Sequence, residues 1–134
     1  MLPEIDLMNE SRVRAITGPR VEVKKSVFVA TVVRITDESK ARERVKDMKK
    51  RDRKANHVAF AYRIGTNPVR EGMSDDGEPR GTAGLPLLML LRHRDISGVL
   101  VMVTRYWGGI KLGPGGLKRA YSEAAQKALE LSGV

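Results

Sequence analysis

The run Val99–Thr104 constrains the fold more than any other part of the sequence. It reads Val-Leu-Val-Met-Val-Thr, with no charged residue, and lies between Gly98 and Arg105. A short continuous apolar run of this kind is typical of a strand that is buried on both faces of a sheet. The run therefore predicts a central strand, around which the rest of the chain has to supply further strands and covering helices.

Two other segments are rich in β-branched and aromatic residues and predict strands. Val21–Ile35 is interrupted by Lys24-Lys25, so we expect a bend or a hairpin of two short strands. His57–Ile64 (His-Val-Ala-Phe-Ala-Tyr-Arg-Ile) predicts a further strand. The polar stretch from Gly65 to about Thr82, which follows it, is expected to be a long loop.

Three segments have the apolar spacing of helices. Thr36–Ser39 offers N-cap residues for a helix that runs to about Lys54, with Ala41, Val45 and Met48 on its apolar face. The other two helices are predicted at Ala83–His93, with Pro86 in the first turn, and at Leu117–Leu131.

The order strand(s)–helix–strand–helix–strand–helix predicts an α/β fold, as an α+β two-layer sandwich with a three- to four-stranded sheet and three helices. A sheet covered mainly on one face would leave its other face available for contacts. We expect residues 1–19 to be an N-terminal lead-in and residues 20–134 to form a single domain. The length of 134 residues suits one domain.

Composition excludes several classes of site. The chain has no cysteine and only two histidines, which excludes disulfides, thiolate zinc sites, a cysteine nucleophile and a multi-histidine metal cage. We predict no cofactor and no metal. The first ten residues lack the pattern of a signal peptide, and the longest apolar stretches are about half of a membrane span. We therefore expect a cytoplasmic protein without membrane contact.

The net charge of +9 favours an anionic partner, and most of it lies on one predicted helix. Residues 40–54 contain nine basic and three acidic residues, a net of +6. Five of the cations form one stripe at helical spacing: Arg42, Lys46, Lys49, Lys50 and Arg53. Such a stripe could follow a nucleic-acid backbone, although many charged helix faces are only solvated.

A glycine-rich segment follows the central strand and opens the last helix. It is predicted to bind phosphate through exposed backbone N–H groups and cations, and Tyr106 and Trp107 could stack on bases. The candidate ligand residues are Arg105, Tyr106, Gly108, Gly109, Lys111, Gly113, Gly115, Gly116, Lys118 and Arg119. No known phosphate-loop motif is met, so a structural turn is the alternative.

Ser74–Gly84 carries three carboxylates within four residues, Asp75, Asp76 and Glu78. They could bind a divalent cation. The alternative, which we favour, is that Asp75 or Asp76 anchors this acidic loop by pairing with Arg105 or by accepting hydrogen bonds from backbone N–H groups. His57 is more often a structural residue than a base in such a position, and no catalytic residue is predicted.

Three stretches, His57–Ile64, Ser74–Gly84 and Val101–Gly116, closely resemble the YigZ/IMPACT family, and the run Arg-Tyr-Trp-Gly-Gly-Ile-Lys-Leu-Gly is its most specific signature. The resemblance spans roughly residues 21–131. It implies the conserved IMPACT N-terminal domain, an α/β sandwich similar to domain 2 of ribosomal protein S5. It also implies a link to translational control, although it defines no biochemical activity.

We therefore expect a small basic binding protein, rather than an enzyme, that contacts RNA or ribosomal components. The glycine-rich segment would take phosphate and the basic helix would add salt-dependent affinity. The alternative is an enzyme that acts on a phosphorylated or nucleotide ligand, with the acidic loop binding a divalent metal. The sequence does not define the oligomeric state.

Overall fold

A computed structural model describes residues 15–134. The strands are β1 (Ile16–Thr17), β2 (Val21–Val23), β3 (Ser26–Arg34), β4 (His57–Ile64), β5 (Arg70–Ser74) and β6 (Val99–Tyr106). The helices are α1 (Glu38–Arg51), α2 (Gly84–His93) and α3 (Gly113–Ser132). Residues 1–14 of the predicted lead-in lie outside the described residues. Ile16–Thr17, although within the predicted lead-in, pairs with β3.

All strands belong to one antiparallel sheet with the order β1–β3–β6–β4–β5, and β2 also pairs with β3. The predicted central strand β6 lies in the middle of this order. Arg105 near its end is opposite Phe28 of β3 and His57 of β4. Because β4 runs antiparallel to β6, the start of β4, the end of β6 and the start of β3 lie at the same end of the sheet.

Helices cover both faces of the sheet. Val99, Val101 and Val103 pack with α2 and α3, whereas Leu100 and Met102 pack with α1. This division follows from the alternation of side chains along a strand. It explains why β6 is apolar at every position from Val99 to Val103, and it leaves less of the second face free than the sequence predicts.

The predicted α/β sandwich with three helices is confirmed, and the structure adds detail that the sequence pattern did not carry. The sheet has six strands rather than three or four. β5 lies inside the stretch predicted to be a loop. The sequence did not predict this strand because Arg-Glu-Gly-Met-Ser has no apolar alternation, and the strand pairs on one side only. The bend at Lys24-Lys25 is confirmed, and both residues have positive φ angles.

The helices begin close to their predicted positions. Asp37 caps α1 by accepting a hydrogen bond of 2.8 Å from the Lys40 N–H group. α3 begins at Gly113, four residues before the predicted Leu117, so the second half of the glycine-rich segment is helical. Among residues 15–134, no helix is both long and apolar enough to cross a membrane.

Candidate functional site

An open cleft of about 530 Å³ lies beside the start of β4, between this strand and the C-terminal half of α1. Four cations from α1 and the turn after it line the cleft: Lys46, Lys49, Lys50 and Arg53. Asn56, His57 and Asp76 form the other side of the cleft. The structure therefore brings part of the predicted basic stripe together with one residue of the acidic loop. Arg42, one turn earlier on α1, does not line the cleft.

The cations of the cleft differ in their pairing. The Lys49 Nζ donates to an Asp76 carboxylate oxygen at 2.6 Å. Among the described residues, Lys46, Lys50 and Arg53 have no carboxylate within 4 Å. All three side chains belong to exposed residues. The cleft therefore keeps three cations available for an anionic ligand.

Asp76 and His57 fasten the acidic loop to the start of β4. The second Asp76 carboxylate oxygen accepts the Val58 N–H group at 2.7 Å. The His57 Nδ1–H donates to the Asp76 backbone carbonyl, also at 2.7 Å. The Asp76 carboxylate is therefore occupied by the Val58 N–H group and the Lys49 ammonium. This agrees with the expectation that Asp75 or Asp76 anchors the acidic loop by accepting hydrogen bonds from backbone N–H groups.

Trp107, the only tryptophan of the chain, is 57% exposed next to the cleft. The backbone N–H group of Trp107 donates to the Asn56 Oδ1 at 2.7 Å, and the backbone N–H group of Asn56 donates to the Arg105 carbonyl at 2.8 Å. The next residue, Gly108, donates its N–H to the Ser26 hydroxyl at 3.1 Å. Backbone contacts on both sides therefore hold the position of a large apolar ring in solvent.

Gly108 has to be glycine because of how closely the chain approaches the Lys24-Lys25 turn. A Cβ atom at this position would collide with the backbone carbonyl group of Lys25. The signature run thus has a steric reason for the first of its three glycines.

Tyr106 does not share the exposure of Trp107. Its hydroxyl donates to the Asp52 carboxylate at the end of α1, and the residue is half-buried. Burial first, and then this hydrogen bond, raise the pKa of the Tyr106 hydroxyl. The structure therefore gives Tyr106 a role in attaching α1 to β6, rather than the stacking role that the sequence suggested.

Arg105 corrects a second prediction. It was expected to take a ligand phosphate, but its side chain is only 7% exposed, and its Nη1 group donates to both carboxylate oxygens of Glu78, at 2.8 and 2.9 Å. The guanidinium also lies 5.5 Å from the centre of the Phe28 ring. The Tyr121 hydroxyl donates to the same Glu78 carboxylate, and its pKa is raised by burial and by this contact. Arg105 is thus neutralised inside the domain.

Asp75 anchors the acidic loop through backbone contacts. Its two oxygens accept the N–H groups of Gly81, Ala83 and Gly84 at 2.8–3.1 Å. Partial burial alone would raise the pKa of Asp75, but the three donors together outweigh burial and lower it. In residues 15–134 there is no group of three potential metal ligands, and all three carboxylates of the loop already have partners. The divalent-metal alternative therefore lacks free ligands.

The remaining glycine-rich residues lie away from the cleft. Gly113, Gly115 and Gly116 form the first turn of α3, which packs on the sheet face opposite α1. Gly109, Lys111, Lys118 and Arg119 are exposed around this turn. No side chain caps the helix start. Phosphate binding by this turn stays a prediction, separate from the cleft.

Asn56 is the residue of the site that sequence reasoning missed. It lies in the connection between α1 and β4, and nothing in its local sequence marks its contact with a residue 51 positions later. Only the pairing of β4 with β6 brings the two together.

The sequence matches the family model described as the Impact N-terminal domain over residues 24–129. The match covers most of the chain and includes the cleft, the acidic loop and Trp107.

The chain belongs to the IMPACT family.

Among its relatives, the chain is 42% identical over 114 residues to the IMPACT family member YvyE of Bacillus subtilis, covering 85% of this chain and 52% of YvyE. The chain thus spans about half the length of the curated relatives it matches.

Two solved structures resemble the fold. The crystal structure of a hypothetical protein superposes with a TM-score of 0.82 at 35% identity, over 87% of this chain and 57% of that one. The structure of the two-domain translational regulator Yih1 superposes with a TM-score of 0.59 at 30% identity, over 88% of this chain and 46% of that one. The two sequence identities agree with the family assignment, and the two superpositions agree with the α/β sandwich.

Proposed function

We propose that this IMPACT domain acts in translation by binding single-stranded RNA in the cleft between α1 and β4. The translation-related role is supported by the likeness to a translational regulator, of which this chain covers about half. The observation that carries the RNA proposal is a cleft lined by three cations without a carboxylate partner among residues 15–134, Lys46, Lys50 and Arg53. Asn56, which also lines this cleft, binds the backbone of the exposed Trp107.

The cations would bind the sugar-phosphate backbone. Lys46 and Lys50 lie one turn apart on α1, and Arg53 follows in the turn after the helix, so the three form a row of cations lining the cleft. Each phosphate neutralised by such a row releases counterions, which makes the affinity depend on salt. Lys49 would contribute less, because Asp76 already neutralises it.

Trp107 would bind an unpaired base. Stacking of a base on an aromatic ring contributes about 1–3 kcal/mol per base and tolerates any sequence. The backbone at Trp107 is held by Asn56 and by the Gly108 contact, so the loop that carries the ring has little backbone entropy to lose on binding. A duplex keeps its bases stacked inside, which is why the proposal specifies single-stranded RNA.

The test is a titration of fluorescently labelled oligouridylate RNA at several salt concentrations, starting near 50 mM. We expect binding whose logarithmic affinity falls linearly with the logarithm of the salt concentration. Fluorescence of the single tryptophan should be quenched by the same RNA. Absence of binding at the lowest salt would refute the proposal.

A pair of charge-matched variants makes the test specific to the cleft. Lys46→Glu, Lys50→Glu and Arg53→Glu together should reduce the salt slope by about 2, because the slope for single strands is about 0.7 per phosphate. The control is the triple variant Arg34→Glu, Arg94→Glu and Lys127→Glu, at exposed positions outside the cleft. An equal loss in both variants would mean that total charge alone attracts the RNA.

A further inference from the structure

A second surface of the domain exposes apolar side chains that the proposed RNA cleft does not use. Met73 on β5 is 48% exposed, and Leu85 and Met89 on α2 are 38% and 40% exposed. They lie on the sheet face opposite α1, at the edge formed by β5. We call this surface, made of β5 with Leu85 and Met89, the β5 edge groove.

The register of the sheet shows why these side chains share one face. Met73 is opposite Ala61 of β4, and Ala61 packs in the core beneath α2 and α3. Glu71, two residues before Met73, reaches Arg92 of α2 at 2.6 Å. Leu85, Met89 and Arg92 follow each other at four- and three-residue spacing, which places them on one side of α2.

β5 is the last strand in the sheet order, and no element within residues 15–134 pairs with its outer side. Alternate N–H and C=O groups of an edge strand point away from the sheet, where another extended chain can pair with them. Peptides bind many domains in this way, with backbone hydrogen bonds for affinity and side-chain contacts for specificity.

The charges around the groove point to an acidic occupant. Glu71 is already paired with both Arg63 and Arg92, at 3.0 and 2.6 Å, and these contacts hold its pKa below the usual value. On the other face of the same strand, Arg70 is 57% exposed and lies 3.6 Å from Glu38. Arg80 is exposed in the loop between β5 and α2. Glu38, Glu71 and Asp95, the last 3.9 Å from Arg63, therefore face four arginines. Arg80 has no carboxylate within 4 Å among residues 15–134, which leaves a net positive charge around the groove.

We propose that the β5 edge groove binds an extended segment of a partner protein in which acidic and apolar residues alternate. The segment adds to the sheet as a strand beside β5. Because its side chains alternate between the two faces, the apolar ones cover Met73, Leu85 and Met89, and the acidic ones lie beside Arg70. The proposal goes beyond the RNA cleft and does not depend on it.

The test uses the full chain and a synthetic peptide of about ten residues in which valine alternates with glutamate. NMR titration should shift the amide signals of Arg70–Ser74 and of the exposed side of α2. Two control peptides isolate the two parts of the recognition: one has lysine in place of glutamate, and one has N-methyl groups at alternate backbone positions. We expect each control peptide to bind at least about tenfold more weakly than the valine–glutamate peptide. Equal binding of either control would overturn the proposal.

Matched protein variants locate the peptide. Met89→Glu should weaken peptide binding by about tenfold, since a charge would then lie in the apolar contact. Leu131→Glu, at a residue 64% exposed near the end of α3, makes the same change in charge and should leave binding unchanged. Equal effects of the two variants would overturn the proposal. RNA affinity should be unchanged in Met89→Glu, which separates this site from the cleft.

Two other occupants have distinct results. If a second copy of the chain fills the groove, sedimentation will show a dimer that Met89→Glu converts to monomer. If RNA fills it, oligouridylate will shift the β5 amide signals in place of those around Trp107. Either result would overturn the acidic-segment proposal.

Discussion

The buried Arg105 and the three cations of the cleft lie at the same end of the sheet and differ in burial and in ion pairing. Arg105 belongs to the signature run, yet it is buried and neutralised by Glu78. Lys46, Lys50 and Arg53 belong to an ordinary basic segment, α1 and the turn after it, yet they are exposed and without carboxylate partners among the described residues. The comparison teaches that the most distinctive motif of this chain builds the domain, whereas less distinctive residues are available for contact.

The largest expected effect comes from breaking the buried pair. Glu78→Gln removes the charge that neutralises Arg105, and it weakens the contact with the Tyr121 hydroxyl. A buried charge left without its partner costs about 3–5 kcal/mol. We expect urea denaturation at pH 7 to show a loss of this size. A loss below about 1 kcal/mol would contradict the structural role of the pair.

Gly108→Ala tests whether the corner that presents Trp107 depends on close backbone packing. The added Cβ atom would collide with the Lys25 carbonyl group. We expect a loss of about 2–3 kcal/mol, since overpacking forces the backbone to move. Gly109→Ala is less informative because its positive φ adds strain, so Gly115→Ala, in the first turn of α3, serves as the control. Equal stabilities of Gly108→Ala and Gly115→Ala would contradict this account.

Asp75→Asn should cost about 1–3 kcal/mol at neutral pH, because the new amide group cannot accept the Gly81 N–H group as the carboxylate does. The pKa of Asp75 is lowered in the folded state from the value of 3.8. Its contribution to stability is therefore complete above this pH and is lost as the pH falls toward the folded-state pKa. The difference between wild type and variant should be constant near pH 7 and shrink below about pH 4.

Thermal unfolding at several pH values measures this difference. A gap that widened in acid would show that the native state does not favour the ionised form of Asp75.

The smallest effect on stability is expected at the exposed cations. Lys46→Glu, Lys50→Glu and Arg53→Glu should each change the free energy of unfolding by less than about 0.5 kcal/mol, as surface substitutions usually do. The same changes should produce the largest loss of RNA affinity. If urea denaturation showed a loss comparable to that of Glu78→Gln, the contrast between the two groups of cations would fail.

The sequence alone determined the elements whose signals are local. The apolar run of β6, the alternating β4 segment and the capped α1 helix each carry their own pattern, and so does the concentration of charge on α1. The signature run was sufficient to recognise the family. These features depend on residues that are neighbours along the chain or along one helix.

Only the tertiary structure decided which of these residues remain available to a ligand. Whether a cation is neutralised depends on partners distant in sequence, Glu78 for Arg105 and Asp76 for Lys49, and the backbone of Trp107 is held by the equally distant Asn56. β5 likewise has no apolar pattern and exists because β4 offers it backbone hydrogen bonds. Local pattern reports propensity and amphipathicity, whereas ion pairing and edge pairing depend on contacts that form only when the sheet closes.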